Sequence, residues 1–219
     1  MQDEGSQLVA LTLASAHLEG SDQNWLDLCA GPGGKAALLK FLAHERGARL
    51  TAVELQPHRA KLVENSLNAV KGEHITIVAD GTDAQFATGE FDRVLVDAPC
   101  TGLGVLRRRA ESRWRRLPKD VGALSKIQRN LLDNALRAIR PGGIVAYATC
   151  SPHLAETEFV VEDVLVANKS VRLLSAPLAL QSIPGLKHAS ELPNQGDFVK
   201  LWPHLHDTDG MFVALLTRD

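Results

Sequence analysis

Two thiols and an acid stand at the ends of two apolar segments, where side chains can do chemistry. Residues 94–96 are apolar and are followed by Asp97, Pro99 and Cys100, a pattern that predicts a short buried strand turning at its carboxyl end. Cys150 ends a second apolar run, residues 143–149, in the same way. We therefore expect an acid and two thiols on loops above two neighbouring strands, an arrangement compatible with nucleophilic catalysis.

A glycine-rich loop near the start of the chain is the second candidate site. Residues 31–36 satisfy the dinucleotide-binding pattern G-x-G-x-x-A, and Glu54 follows at a distance suited to a ribose hydroxyl pair. A phosphate-binding P-loop is excluded, because it would require Gly at Cys29 and Ser or Thr at Ala36. The alternative is a strand-to-helix turn that binds no ligand.

Three acids, Glu54, Asp80 and Asp97, end successive predicted strands. In a doubly wound sheet, the carboxyl ends of such strands share one crevice. A ligand with a ribose, a base and an amino group would find partners there. Both a nicotinamide dinucleotide and S-adenosylmethionine meet this description, and the two remain open at this point.

The elements that must position these residues alternate between strand and helix. Strands are predicted at residues 25–29, 49–54, 75–79, 94–97, 143–150, 171–174 and 211–217, and helices near residues 1–19, from 35, and at 57–70, 124–139 and 155–167. This order predicts an α/β fold with a doubly wound, Rossmann-like, mostly parallel sheet of about seven strands. Residues 175–208 are predicted to be mostly loop.

Composition sets outer bounds on the class of protein. With 219 residues and 45% hydrophobic side chains, the chain can bury one core, and we expect a single domain over residues 1–219. The net charge of -2 means that a nucleic-acid partner must be met by a local patch. Three cysteines without a signal-like start predict a reducing, cytoplasmic environment, and no apolar run is long enough to cross a bilayer.

Three motifs in order carry a family resemblance. They are Leu-Asp-Leu-Cys-Ala-Gly-Pro-Gly-Gly-Lys at residues 26–35, Asp-Ala-Pro-Cys at 97–100 and Ala-Thr-Cys-Ser at 148–151. Together they resemble the RNA 5-methylcytosine methyltransferases of the Sun/Nop2 family, and most of all the bacterial branch that modifies small-subunit ribosomal RNA. The resemblance covers nearly the whole chain, from residue 2 to residue 212. It implies the fold of class I S-adenosylmethionine-dependent methyltransferases.

The resemblance also implies S-adenosylmethionine as the cofactor. Glu54 would bind its ribose and Asp80 would lie near its adenine, with Arg59 supporting the pocket. Asp97 would lie between the cofactor and the target cytosine. The loop residues implied to contact the cofactor are Cys29, Ala30, Gly31, Pro32, Gly33, Gly34 and Lys35. Gly31 stands where the family often has Ala, and Ala36 where Thr is usual, but all of these side chains are small.

The chemistry of cytosine methylation explains the presence of two thiols. C5 of cytosine is a poor nucleophile, but addition of a thiolate to C6 makes C5 able to accept a methyl group from a sulfonium. A free thiol, with a pKa of about 8.5, is mostly protonated near neutrality, so local activation is required. By resemblance, Cys150 is the nucleophile, Cys100 assists product release and Asp97 hydrogen-bonds the base. Cys29 is expected to be structural.

An arginine-rich segment follows Cys100 and is the candidate RNA-binding surface. We call residues 107–116 the arginine run, because six arginines there surround one tryptophan with Glu111 as the only acid. Such density in a chain of low net charge predicts phosphate binding, with an indole available for stacking. A solvated surface loop is the alternative. The residues predicted to contact RNA are Arg107, Arg108, Arg109, Arg113 and Trp114.

No metal is expected, although His204, His206, Asp207 and Asp209 have side chains that bind metals. The inferred mechanism needs none, and this segment resembles the closing loop of the family. Members of the ribosomal branch carry an RNA-binding region before the motif at residue 2. We therefore expect this chain to be a catalytic domain without that region, and we expect it to be a monomer.

Three other functions remain as alternatives. A tRNA cytosine-C5 methyltransferase of the same family would share every motif. An NAD-dependent oxidoreductase would account for the glycine loop and Glu54 but not for Cys100, Cys150 or the arginine run. A noncatalytic RNA-binding module would account for the arginines alone.

Overall fold

The computed structural model of the protein describes residues 2–186 and 196–219. Its strands are β1 (Asn24–Asp27), β2 (Arg49–Glu54), β3 (His74–Val78), β4 (Phe91–Asp97), β5 (Ile139–Thr149), β6 (Val171–Leu174), β7 (Val199–Leu201) and β8 (Met211–Arg218). Its α-helices are α1 (Glu4–Ser15), α2 (Gly34–His44), α3 (Pro57–Asn68), α4 (Ser112–Arg115), α5 (Pro118–Ala138), α6 (Glu158–Ala167), α7 (Ala176–Gln181) and α8 (Pro203–His206). Short 3-10 turns follow the two cysteines, at Leu103–Val105 and Leu154–Glu156.

The strands form one sheet in the order β3-β2-β1-β4-β5-β8-β6, with β7 also paired to β8. Strands β1 to β5 run parallel to one another, whereas β8 is antiparallel to β5, β6 and β7. The predicted doubly wound, mostly parallel sheet is therefore confirmed. The chain moves outwards from β1 to β3 and returns to β4 on the other side of β1, so a topological switch point lies between β1 and β4. In open α/β sheets, ligands bind at the carboxyl ends of the strands beside such a point.

The core lies on both faces of the sheet because the central strands are apolar on both sides. In β4, Leu95 packs with residues of α1, α2 and α3, whereas Val94 and Val96 pack with residues of α5 and α6. Alternation between faces follows from the two-residue period of a strand. Two helical layers thus hold the carboxyl ends of β1, β4 and β5 in fixed positions.

The prediction for residues 175–208 was wrong in part, because this segment contains α7, β7 and α8. Strand β7 has only three residues, and it exists because β8 offers it a hydrogen-bonding edge at Val199↔Val213. A segment this short carries no periodicity that the sequence alone would show. Residues 187–195 of the predicted loop lie outside the described residues.

The described helices include none long and apolar enough to cross a membrane.

Candidate active site

The two cysteines meet above the carboxyl ends of β4 and β5. These strands are parallel neighbours, with Asp97 in register with Ala148, so the loops that follow them leave the sheet side by side. The sulfur atoms of Cys100 and Cys150 lie 3.4 Å apart, with Cys100 buried and Cys150 half-buried. The predicted proximity of the two thiols is confirmed.

The environment makes the two thiols unequal. The hydrogen bond shared with Cys100 lowers the pKa of the Cys150 thiol, against the opposing effects of burial and of the Asp97 carboxylate, and the Lys35 ammonium also lowers it. The same hydrogen bond, together with burial, raises the pKa of the Cys100 thiol well above its ordinary value. Cys150 is therefore the member of the pair that ionises first, with Cys100 as its proton-carrying partner.

Glycine at position 104 allows the two cysteine loops to touch. The Gly104 amide donates to the Cys150 carbonyl oxygen at 2.9 Å, and the Gly210 amide donates to the Gly104 carbonyl oxygen at 2.8 Å. A Cβ atom at position 104 would lie 2.4 Å from the Gly210 oxygen and 2.8 Å from the Cys150 oxygen. Since both obstacles are backbone atoms, only glycine fits at this position.

Asp97 and Lys35 form an ion pair between the glycine loop and the cysteine pair. The Lys35 Nζ lies 2.8 Å from the Asp97 Oδ2, and both side chains are largely shielded from solvent. Burial alone would lower the pKa of Lys35, but the Asp97 carboxylate outweighs burial and raises it. Lys35 therefore remains a cation beside both Asp97 and Cys150.

The glycine loop is bound to Glu54 at the end of β2. The Gly31 amide donates to Glu54 Oε2 at 3.1 Å, and the Arg59 guanidinium donates to the Gly31 carbonyl oxygen at 2.7 Å. A Cβ atom at position 31 would lie 2.1 Å from Glu54 Oε2, so any larger residue there would force the Glu54 carboxylate to move. Gly33 begins α2 with a φ of 111°, a left-handed conformation that favours glycine. Asp80 lies exposed after β3, where Thr82 donates to its Oδ1 from both the amide and the hydroxyl.

Asp27, at the end of β1, was assigned no role from the sequence. Its side chain is fully buried, with Oδ1 accepting from the Cys29 amide at 3.3 Å. Among the described residues, Oδ2 has no hydrogen-bond partner. Burial and the nearby Asp97 charge raise the pKa of Asp27 to about 7. An acid in an otherwise apolar strand was the available signal. A second buried acid that the sequence did not single out, Glu156, lies beneath the cysteine loops.

The arginine run contains side chains that form ion pairs with described acids and side chains that do not. Arg107 pairs with Asp3 at 2.6 Å and with Asp209 at 3.2 Å, and Arg108 also pairs with Asp209. In contrast, Arg109 and Arg113 form no ion pair with another described residue, and Trp114 has 81% of its surface exposed with the Arg113 guanidinium 5.9 Å from its ring centroid.

Arg116 and Asp209 have structural contacts. Arg116 donates to the carbonyl oxygens of Cys100 and Thr101 at 3.2 and 3.3 Å, so the end of the arginine run is fastened to the cysteine loop. Asp209, which the sequence offered as a metal ligand, is instead the acceptor for Arg107 and Arg108. In residues 2–186 and 196–219, no three His, Cys, Asp or Glu side chains form a group suited to a metal ion.

The chain is similar to known sequences over almost its whole length. A family model described as 16S rRNA methyltransferase RsmB/F matches residues 15–217. A Mycobacterium tuberculosis protein named only as a candidate methyltransferase is 53% identical over 100% of this chain and 46% of its own length. Ribosomal RNA small subunit methyltransferase B of Shewanella oneidensis is 37% identical over 100% of this chain and 47% of its own length. The chain thus spans about half the length of these curated relatives.

Solved structures match over almost the whole chain. NSun6 from Pyrococcus horikoshii, solved with SFG, is 28% identical with a TM-score of 0.77, covering 99% of this chain and 52% of that one. The N-methyltransferase NodS from Bradyrhizobium japonicum, solved with S-adenosyl-L-homocysteine, is 13% identical with a TM-score of 0.57, covering 98% of this chain and 85% of that one. The second likeness shows the fold alone, which is that of class I methyltransferases.

Proposed function

Because the chain belongs to the 16S rRNA methyltransferase RsmB/F family, we propose that it transfers a methyl group from S-adenosylmethionine to C5 of a cytosine in small-subunit ribosomal RNA. The observation that carries this proposal is the pair of sulfur atoms, Cys100 and Cys150, 3.4 Å apart. The pair lies beside the Asp97–Lys35 ion pair. Methylation at C5 requires a bond to be made at C6 and then broken, and two unequal thiols in contact suit these two steps.

The residues at the ends of β1, β2 and β3 fit S-adenosylmethionine. Gly31 and Gly33 lie where added Cβ atoms would clash with Glu54 and with Ser66, so the small residues let the loop pack closely against the end of β2 and against α3. Glu54 supplies a carboxylate suited to the ribose hydroxyls, Arg59 braces that carboxylate, and Asp80 is exposed at the adenine side. The relative NodS, which shares the fold, binds S-adenosyl-L-homocysteine. The bound cofactor supplies an electrophilic methyl group on a sulfonium.

The cysteines and Asp97 then act on the base. The Cys150 thiolate forms a bond to C6, which makes the electrons of the C5–C6 double bond available at C5 for the methyl group. Asp97 hydrogen-bonds the base and favours the protonation of N3. A base, in the simplest case a water molecule, takes the C5 proton, and the electrons of the C5–H bond restore the double bond as the C6–S bond breaks and returns the Cys150 thiolate. Cys100 assists this release, since its sulfur lies next to the bond that breaks.

The exposed part of the arginine run is proposed to contact the RNA. Arg109, Arg113 and Trp114 offer two cations and an indole to solvent, which suits phosphate binding and base stacking. Arg107 and Arg108 neutralise Asp209 and Asp3 and orient the segment. A cytoplasmic monomer remains our prediction.

The test is methyl transfer from labelled S-adenosylmethionine by the full-length protein. We expect label in small-subunit ribosomal RNA at a cytosine that bisulfite sequencing shows as methylated only in cells that carry the gene. Label in transfer RNA alone would favour the tRNA branch of the family. Binding of NAD in preference to S-adenosyl-L-homocysteine would favour an oxidoreductase. RNA binding without methyl transfer would leave a noncatalytic module.

A further inference from the structure

We propose that Glu156 is a positioning residue that holds the two cysteine loops together, a role that rests on the proposed function. It does so through a buried group that we call the carboxylate cluster, formed by Thr101, Gln128, Ser151 and Glu156. Thr101 directly follows Cys100, and Ser151 directly follows Cys150. One carboxylate therefore binds the residue next to each thiol.

The contacts in the cluster are complete on both carboxylate oxygens. Oε1 accepts from the Thr101 amide at 2.9 Å and from Gln128 Nε2 at 3.1 Å. Oε2 accepts from the Ser151 hydroxyl at 2.6 Å and from the Thr101 hydroxyl. All four side chains of the cluster are buried.

Burial turns these hydrogen bonds into a constraint on the loops. A charged group shielded from water is strongly destabilised when it loses a donor, because no solvent replaces that donor. If the Cys100 loop moved away from the Cys150 loop, Glu156 would lose the donors of either Thr101 or Ser151. The lowest free energy is therefore reached with both loops in place before any substrate binds.

Independent contacts fix Glu156 itself to the core. The Tyr147 hydroxyl donates to the Glu156 carbonyl oxygen at 2.7 Å, and the Ser125 hydroxyl donates to the Ala155 carbonyl oxygen. Gln128, on α5, also donates to the Pro99 carbonyl oxygen at 2.8 Å, one residue before Cys100. The cluster thus transmits the positions of β5 and α5 to both thiols.

The negative charge of Glu156 also favours the proposed difference between the two thiols. The pKa of Cys100 is raised first by its hydrogen bond to Cys150 and by burial, and the negative charge of Glu156 raises it further. Cys100 is thereby favoured as the proton donor of the pair. Glu156 reaches the reacting atoms only through Thr101 and Ser151, so its role is positioning.

The test measures the separation of the thiols without RNA or cofactor. Dibromobimane alkylates two neighbouring thiols with loss of two bromides, and bridging of Cys100 to Cys150 is followed by fluorescence and peptide mapping in the full-length protein. Cys100→Ser is the blank, because it cannot bridge. Thr101→Val combined with Ser151→Ala removes both hydroxyl donors, and Glu156→Gln keeps the shape and an acceptor. Thr149→Val is the matched control, since Thr149 is buried beside Cys150 with a hydroxyl that has no partner among the described residues.

We expect the double variant to bridge roughly tenfold more slowly than the wild type and to lose kcat by a similar factor, with the KM values for RNA and cofactor unchanged. Glu156→Gln should keep most of the wild-type bridging rate and most of the wild-type kcat. Thr149→Val should match the wild type in both quantities. Equal bridging in the double variant and the wild type would overturn the inference. An unchanged kcat would do the same. If bridging responds as expected but even the wild type transfers no methyl group, the proposed function fails while the geometric role of Glu156 stands.

Discussion

Asp27 and Glu156 are both fully buried carboxylates, one below the glycine loop and the other below the cysteine loops. Glu156 accepts four hydrogen bonds, whereas Asp27 accepts one, at Oδ1, and its Oδ2 has no partner among the described residues. Two carboxylates with the same burial therefore differ in how far the chain satisfies their hydrogen-bonding capacity. The pKa of Asp27 rises to about 7, mainly through burial.

The two halves of the site therefore differ in how far they are preorganised before a ligand binds. In the cysteine half, hydrogen bonds within the chain fix the two loops. This is expected for groups that make and break covalent bonds with a substrate. The glycine-loop half keeps one buried acid, Asp27, with an oxygen that has no partner among the described residues, and one exposed acid, Asp80. We infer that ligand binding changes the second half more than the first.

The largest expected effect tests the assignment of bond making to the cysteine half. Cys150→Ser should abolish both turnover and any covalent RNA adduct, because a hydroxyl is a far weaker nucleophile than a thiolate with a lowered pKa. Cys100→Ser should instead accumulate an RNA adduct that survives denaturing electrophoresis, since attack is intact and release is impaired. Both are measured in the full-length protein with cofactor and target RNA.

Two outcomes would contradict this assignment. An adduct with the Cys150 variant and none with the Cys100 variant would reverse the roles. Adducts with neither variant, under conditions where the wild type turns over, would argue against covalent catalysis. Binding of S-adenosyl-L-homocysteine should be unchanged in both variants and serves as the control for folding.

A second prediction concerns stability and pH in the glycine-loop half. The folded-state pKa of Asp27, about 7, is above its ordinary value of 3.8. Its favourable contribution to the free energy of unfolding is therefore present below about pH 4 and is lost as the pH rises to 7. Asp27→Asn removes this titration. We expect the free energy of unfolding of the variant, relative to the wild type, to increase by roughly 4 kcal/mol between these pH values. Denaturant unfolding at a series of pH values measures it.

Asp92→Asn is the control of opposite sign. Burial would raise the pKa of Asp92, but donors that include the Asn24 amide and Arg140 outweigh it and lower the pKa. Its contribution to stability is therefore present at neutral pH and lost as the pH falls through that lowered pKa. A parallel trend in the two variants would mean that Asp27 is not the group that titrates.

The smallest expected effect lies in the arginine run, where arginines paired with acids are neighbours of arginines that form no ion pair with a described residue. Replacing Arg109 and Arg113 by Ala should reduce the slope of RNA affinity against salt concentration by about one per lost phosphate contact, with stability unchanged. Arg107→Ala should instead lower stability, because Asp3 and Asp209 lose a shared partner. Arg172→Ala, at an exposed pair with Asp219, is the control for general charge. An unchanged salt slope for the Arg109 and Arg113 variant would reject the phosphate role.

The sequence predicted what depends on local pattern. The strand at Asp97, the strand at Cys150 and the turn after Cys29 follow from apolar runs and glycines, and the neighbouring positions of the two thiols follow from the order of strands. The roles of Glu156 and Arg107 could not be predicted in this way. They depend on partners distant in the chain, Thr101 and Asp209, which only tertiary packing brings together.

Because Gly104 contacts Gly210, the cysteine half of the site can be completed only late in the synthesis of the chain. Gly210 directly precedes β8, and β8 lies between β5 and β6 in the sheet. During synthesis from the N-terminus, β4, β5 and both cysteines leave the ribosome many residues before Gly210 does. Until β8 follows, the thiols lack one wall and β5 has an open edge. In a nascent chain stalled before residue 210, both thiols lack this wall, so we expect them to react faster with an alkylating reagent than they do once β8 has emerged.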